Sequence, residues 1–127
     1  MTLEELIESK LQESDSLDEL GFILKNLIAY HSIDLNEKLY SIRALVDNVD
    51  GLKIEIFPNE HAPPHFHIRA NGITAVFSII DCSLIQGEIG SREYKMVQWW
   101  YRRSRKKLIE FWNNTRPSDC KVGPIVE

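Results

Sequence analysis

Apolar side chains recur with a helical period through the first third of the chain, with a strand period in the middle, and with a helical period again near the end. Leu3, Leu6, Ile7 and Leu11 form one set, Leu20, Ile23, Leu24, Leu27 and Ile28 a second, and Leu35, Leu39, Ile42, Val46 and Val49 a third. Spacings of three and four residues put each set on one face of a helix. A capping residue with Glu three positions later opens each set: Thr2 with Glu5, Ser16 with Glu19, and Asp34 with Glu37. Helices are therefore predicted at about 3–13, 17–31 and 35–48.

Asp50-Gly51 interrupts this period, and Leu52-Lys53-Ile54-Glu55-Ile56-Phe57 alternates apolar and charged side chains as a half-buried strand does. Pro58, Pro63 and Pro64 keep the next stretch from being helical, because proline lacks the amide donor and restrains the residue before it. His65 to Ala70 and Ile73 to Ile80 read as two strands joined at Asn71-Gly72, a dipeptide suited to a tight hairpin. Leu84 to Ile89 reads as a short fourth strand with Gly87 as a bulge. From Ser91 the helical period runs to about Asn114, with an inward face of Tyr94, Val97, Trp100, Tyr101, Leu108, Phe111 and Trp112. The predicted fold class is α+β: a small antiparallel sheet of three to four strands packed against a long C-terminal helix. Residues 1–49 form an N-terminal helical extension and residues 50–127 the α+β domain, together one compact unit.

A chain of 127 residues is long enough to bury one core without staples. Its 43% hydrophobic and 27% charged content excludes a disordered or fibrous class. The N-terminus has neither a basic nor an apolar leader, and no run reaches membrane-spanning length, so a cytoplasmic protein without membrane contact is expected. In that compartment Cys82 and Cys120 are expected as free thiols. The net charge of -4 conceals an asymmetry: residues 1–50 hold four Lys and Arg against eleven Asp and Glu, and residues 51–127 hold eleven against eight.

Three of the four histidines fall within seven residues, as His61-x3-His65-x-His67. If His65 and His67 share a strand, its period of two places both on one sheet face, and the Pro-Pro segment can hold His61 beside them. Three imidazoles of this kind suit two chemistries. As metal ligands, His61, His65 and His67 would hold zinc or a similar divalent ion with a position left open, and Glu60, Asp81, Cys82 and Glu88 are near enough in sequence to support that shell. Without metal, the same residues are candidate catalytic groups, a general acid and a general base working near neutral pH, as metal-independent RNA cleavage requires. Arg69, on the same strand face, would neutralise a phosphate. A third reading is structural, with the imidazoles bonding loop carbonyls while Pro63, Pro64 and Phe66 shape a turn.

Glu60-His61-Ala62-Pro63-Pro64-His65-Phe66-His67-Ile68, preceded by Ile54-Glu55-Ile56-Phe57, resembles the hallmark of an uncharacterised bacterial domain-of-unknown-function family with a His-x-Pro-Pro-His-x-His signature. The resemblance continues through Ala75-Val76-Phe77-Ser78-Ile79, Gly87, Leu108-Ile109-Glu110-Phe111-Trp112 and Arg116-Pro117-Ser118-Asp119-Cys120, and so covers roughly residues 50–125. It implies that any family site falls on His61, His65 and His67. By analogy it also implies a toxin-like component of a toxin–antitoxin or defence locus, with an antitoxin-like or operon-encoded protein partner.

Arg102, Arg103, Arg105, Lys106 and Lys107 form a dense positive run. Within it Trp99, Arg102, Arg103 and Lys106 follow i, i+3, i+4, i+7 spacing opposite the inward face, a stripe that could hold a phosphate backbone while stacking a base. The alternative is a solvated or internally paired face, in which the stripe meets Glu4, Glu5, Glu8 or Glu13 within the chain or across a homodimer and Trp99 is covered by the N-terminal helices. Two functions compete: a ribonuclease-like or metal-dependent hydrolase acting on RNA, and a non-catalytic protein-binding or metal-binding module using the histidine loop. The chain carries no phosphate-cradling glycine loop and no His-Glu-x-x-His helix.

Overall fold

Two helices, α1 (Leu3–Glu13) and α2 (Leu17–Tyr30), begin where the capping signals place them. The Thr2 hydroxyl accepts from the Glu5 N–H at 3.1 Å and the Ser16 hydroxyl from the Glu19 N–H at 3.2 Å, each satisfying an amide that the first helical turn leaves without a partner. The computed structural model describes residues 1–42, 51–57, 62–116 and 124–126.

The third predicted helix, over 35–48, does not form in its described part. Residues 31–41 are instead a hairpin of β1 (His31–Ile33) and β2 (Leu39–Ser41), and residues 43–50 lie outside the described residues. Asp34 explains the difference. Its carboxylate accepts from the N–H groups of Asn36 and Lys38 at 2.8 and 3.0 Å, so the side chain closes a turn on itself instead of capping a helix. Glu37 completes that turn at φ 61°, and Leu35 stands fully exposed at its tip.

A second, four-stranded antiparallel sheet has the order β3 (Lys53–Glu55), β4 (His65–Ala70), β5 (Ile73–Ser78) and β6 (Leu84–Glu88). Asn71-Gly72 turns β4 into β5, as expected from the sequence. The bulge sits two residues from its predicted place. Val76 pairs with Gln86 and Phe77 with Leu84, so the extra residue is Ile85, while Gly87 lies opposite Ala75 at φ 93°.

Alternation sorts the strands into two faces. Ile54, Phe66, Ile68, Ala75 and Phe77 are buried beneath α3 (Ser91–Thr115), where Phe66 meets Phe77, Trp100 and Tyr101 at ring separations of 5.6, 5.7 and 6.4 Å. The polar tips of these aromatics find main-chain partners: Trp100 donates to the Leu20 carbonyl at 3.0 Å, and the Tyr101 hydroxyl donates to the Ile79 carbonyl. Arg92 donates to the carbonyls of Ile28 and His31 at 2.9 and 2.8 Å, fastening α3 to the end of α2. The α1–α2 hairpin and the sheet domain thus share one core.

The inward face of α3 is wider than predicted. Val97, Trp100, Tyr101, Leu108 and Trp112 are buried as expected, and Met96, Trp99, Ser104 and Ile109 are buried too. Their burial follows from α1, which packs along the flank of α3 away from the sheet; Gln12 donates to the Arg103 carbonyl at 3.3 Å. Cys82 is a buried free thiol whose pKa burial pushes up to about 12, and Cys120 lies outside the described residues. Among the described residues, no helix is long and apolar enough to cross a membrane.

Candidate active site

Strand β4 carries the site because its alternation splits the histidines from the core. Phe66 and Ile68 point under α3, so His65, His67 and Arg69 fall on the opposite face. Strand register then builds two rows across that face, Lys53–Arg69–Thr74–Glu88 and Glu55–His67–Val76–Gln86. Directly opposed side chains in such rows are close neighbours, so Glu55 sets a carboxylate beside His67. An open cleft of about 380 Å³ lies over these rows, with Phe57, His67, Arg69, Thr74 and Gln86 in its lining.

His67 is half-buried at that cleft and His65 is 5% exposed behind it. The two rings are 5.1 Å apart with their planes at 61°. His65 Nδ1 lies 2.7 Å from the Pro63 carbonyl oxygen, in a loop where the Ala62-Pro63 peptide is cis. A carbonyl can only accept, so Nδ1 carries the proton of this hydrogen bond. Pro64 is held in turn by the Ile79 N–H, which donates to its carbonyl at 2.9 Å. His65 thus bonds a loop carbonyl, as the structural reading of the histidines has it, while the holding of His61 by the Pro-Pro segment falls outside the described residues.

An aromatic wall supports the pair. Phe57 packs edge-on against His67 at 5.0 Å, and the buried Trp112 lies 6.1 Å from the His65 ring. The Arg116 guanidinium lies 3.5 Å above the Trp112 ring and donates to the Phe57 and Trp112 carbonyls, tying the end of α3 to the segment after β3. Glu55, Phe57, Trp112 and Arg116 were not among the candidates from sequence. The alternation of residues 52–57 could have placed Glu55 and Phe57 on the histidine face once the β3–β4 register was known, whereas Trp112 and Arg116 carry no local signal.

The other predicted site residues scatter. Arg69 is exposed and pairs with Glu55 at 3.4 Å. Trp99 is fully buried, which rules out the base-stacking reading and agrees with the alternative in which the N-terminal helices cover it; the Arg103 guanidinium lies 3.7 Å over its ring while donating to its carbonyl at 3.0 Å. The reason is the α1 helix, which covers this flank of α3; burial also lowers the pKa of Arg103. Arg102 and Lys106 remain exposed, and Arg102 stands 3.7 Å from Glu37. Asp81 accepts from the Ser83 hydroxyl and N–H, which lower its pKa, and Cys82 is packed into the core, so neither joins the histidines. Among the described residues, no group of three or more His, Cys, Asp and Glu is placed to hold a metal ion. Glu88 is exposed on β6 in the row of Arg69, not that of His67, and His61 and Glu60 lie outside the described residues.

Residues 51–113 match a family model described as Domain of unknown function (DUF4160). No curated protein and no solved structure matches the chain. The match runs from the approach to β3 through nearly all of α3, so it takes in His65, His67 and Trp112 and leaves the α1–α2 hairpin outside. Through residues 51–113 the chain belongs to this uncharacterised domain-of-unknown-function family.

Proposed function

We propose that the chain is a toxin-like component of a toxin–antitoxin or defence locus that cleaves RNA through histidines on the open face of its sheet. The observation that carries this reading is the pairing of His65 and His67, with rings 5.1 Å apart, beside a cleft that Arg69 also lines. RNA supplies its own nucleophile, so two proton-transfer groups and a cation suffice. One imidazole takes the proton of a 2′-hydroxyl, the 2′-oxygen attacks the adjacent phosphorus, and the other imidazole protonates the departing 5′-oxygen. The products are a 2′,3′-cyclic phosphate and a free 5′-hydroxyl. His67, nearer the cleft, meets the substrate first; His65 is the second proton-transfer group, through Nε2; His61 completes the set. Arg69, released from Glu55, neutralises the phosphate, while Arg102 and Lys106 are exposed cations for the flanking backbone.

A divalent ion such as zinc is the second reading, favoured by one observation. The hydrogen bond from His65 Nδ1 to a main-chain carbonyl is the outer-shell arrangement that orients a metal-binding imidazole toward the ion through its other nitrogen. Zinc would then be held by His65, His67 and His61.

The test is growth after induced expression of wild type and of His67→Ala and His65→Ala, followed by cleavage of a labelled RNA by the purified proteins with and without zinc. A proton-transfer group contributes about 10²- to 10⁴-fold, so each variant is expected to lose at least about a hundredfold in cleavage while keeping its circular dichroism spectrum. Zinc dependence selects the metal reading. Full activity in folded His67→Ala overturns the enzyme proposal and leaves the histidine loop as a recognition edge for a protein partner.

A further inference from the structure

The α1–α2 hairpin holds a second concave surface, outside the family match. A trough of about 670 Å³ runs along it, lined by apolar Leu6, Ile7, Phe22 and Leu27. Its lining pairs Leu3 with His31 at one end and Glu13 with Asp18 at the other, so it follows the whole hairpin from open end to turn. At a rise of about 1.5 Å per residue, the eleven residues of α1 give it a length of roughly 16 Å, three turns of helix. Phe22 is 65% exposed and Leu6 43%, and both line the trough, whereas Leu11, Leu20 and Leu24 are buried in the core. A groove between two helices with exposed anchors at its lip is the seat that a third amphipathic helix fills.

The charges select the occupant. Glu13, Asp18 and Glu19 line the turn end of the trough, and among the described residues Lys10 is the one cation lining it. This sits within a half of the chain that carries eleven acidic residues against four basic ones. A second copy docking through its own hairpin would bring its acidic end against this one or against apolar Leu3, and neither arrangement neutralises the carboxylates as water is removed from them. We infer that the trough docks an amphipathic helix of a separate, basic protein partner, with the partner's Lys or Arg residues meeting Glu13 and Asp18 at the hairpin's turn. The trough and the cleft at His67 share no lining residue.

The test uses the full chain and two fluorescent 14-residue helical peptides that share one apolar stripe of Leu, one with Lys and one with Glu at the flanking positions. Fluorescence anisotropy is expected to show binding of the Lys peptide that weakens with added salt, and at least about tenfold weaker binding of the Glu peptide. Phe22→Ser is expected to weaken the Lys peptide about tenfold or more, as loss of an interface anchor does. Because Phe22 is exposed in the free chain, the fold is kept, which circular dichroism checks. Asp18→Lys is expected to narrow the preference between the two peptides. Equal binding of both peptides, binding unaffected by Phe22→Ser, or a homodimer in light scattering that Phe22→Ser converts to monomer would each overturn the inference. None of these readouts depends on RNA cleavage, so the docking surface and the histidine chemistry stand or fall separately.

Discussion

Gly87→Ala tests the construction of the cleft directly. Gly87 sits at φ 93°, and a Cβ added there would lie 2.0 Å from the Thr74 carbonyl oxygen and 2.9 Å from the Ala75 Cα. Both are main-chain atoms of β5, so no side chain can swing aside; β6 must lift from β5 by roughly 1 Å or more before ordinary contact distances return. The left-handed backbone costs an L-residue about 1–2 kcal/mol, and forcing atoms into a closed contact about 1–3 kcal/mol more. The expected loss is therefore about 2–5 kcal/mol, against a total stability on the order of 5–15 kcal/mol for a domain.

Urea unfolding followed by tryptophan fluorescence reads this loss as a fall in midpoint of about 1–3 M at ordinary denaturant sensitivity. Gly51→Ala is the control, since Gly51 shares a positive φ of 71° but a Cβ there meets nothing within 4 Å. Backbone conformation alone then costs about 1–2 kcal/mol. If Gly87→Ala loses no more stability than Gly51→Ala, the close approach of β6 to β5 is refuted. Where Gly87→Ala remains folded, lifting β6 withdraws Gln86 from its place across Val76 from His67, and the RNA cleavage proposed for this face is expected to fall with it.

Two further outcomes follow from buried groups. The Cys82 thiol, pushed up to about 12 by burial, stays protonated in the fold while an unfolded thiol ionises near its usual value of 9.0. Its contribution to stability is therefore fully present below about pH 9 and lost as pH rises from there through about 12, and in a Cys120→Ser variant alkylation of Cys82 is expected to proceed only at the rate of unfolding; rapid labelling of the native chain would contradict this burial. Arg116→Ala removes a guanidinium stacked on Trp112 and hydrogen-bonded to the Phe57 carbonyl, with an expected loss of about 1–3 kcal/mol in urea unfolding, and Arg116→Lys is expected to recover less than half because an ammonium cannot lie flat on the indole. Unchanged stability in Arg116→Ala would show that this contact holds nothing in place.

How far the fold could be read from the chain depended on whether local chemistry and tertiary packing agreed. At Thr2 and Ser16 the capping residue, the Glu three positions on and the apolar period all point the same way, and both helices start there. At Asp34 the same signature occurs, but Leu35, which would open the apolar stripe, faces solvent and the carboxylate closes a turn. Asp bonds a nearby amide equally well in a turn and at a helix start, so the capping signal alone could not distinguish them. The sheet was more legible because alternation and Asn71-Gly72 are independent signs of the β4–β5 hairpin.

The candidate site was legible only along one strand. Spacing alone puts His65, His67 and Arg69 on one face, because a period of two is a property of the strand itself. What surrounds them depends on register and on the far end of α3: Glu55 reaches His67 across the β3–β4 pair, and Trp112 reaches His65 from 47 residues further along the chain. Trp99 shows the converse. Its helical phase places it opposite the sheet, where the sequence left a nucleic-acid contact and coverage by the N-terminal helices both open, and it is buried as the second has it. The extension outside the family match therefore alters the domain behind it, since it removes Trp99 and Arg103 from the basic stripe and leaves Arg102 and Lys106 as exposed members. A chain built from residues 51–113 without α1 and α2 would expose Trp99, and the apolar surface uncovered beneath Leu20 and Leu24 would cost it solubility well before any chemistry at His67 was affected.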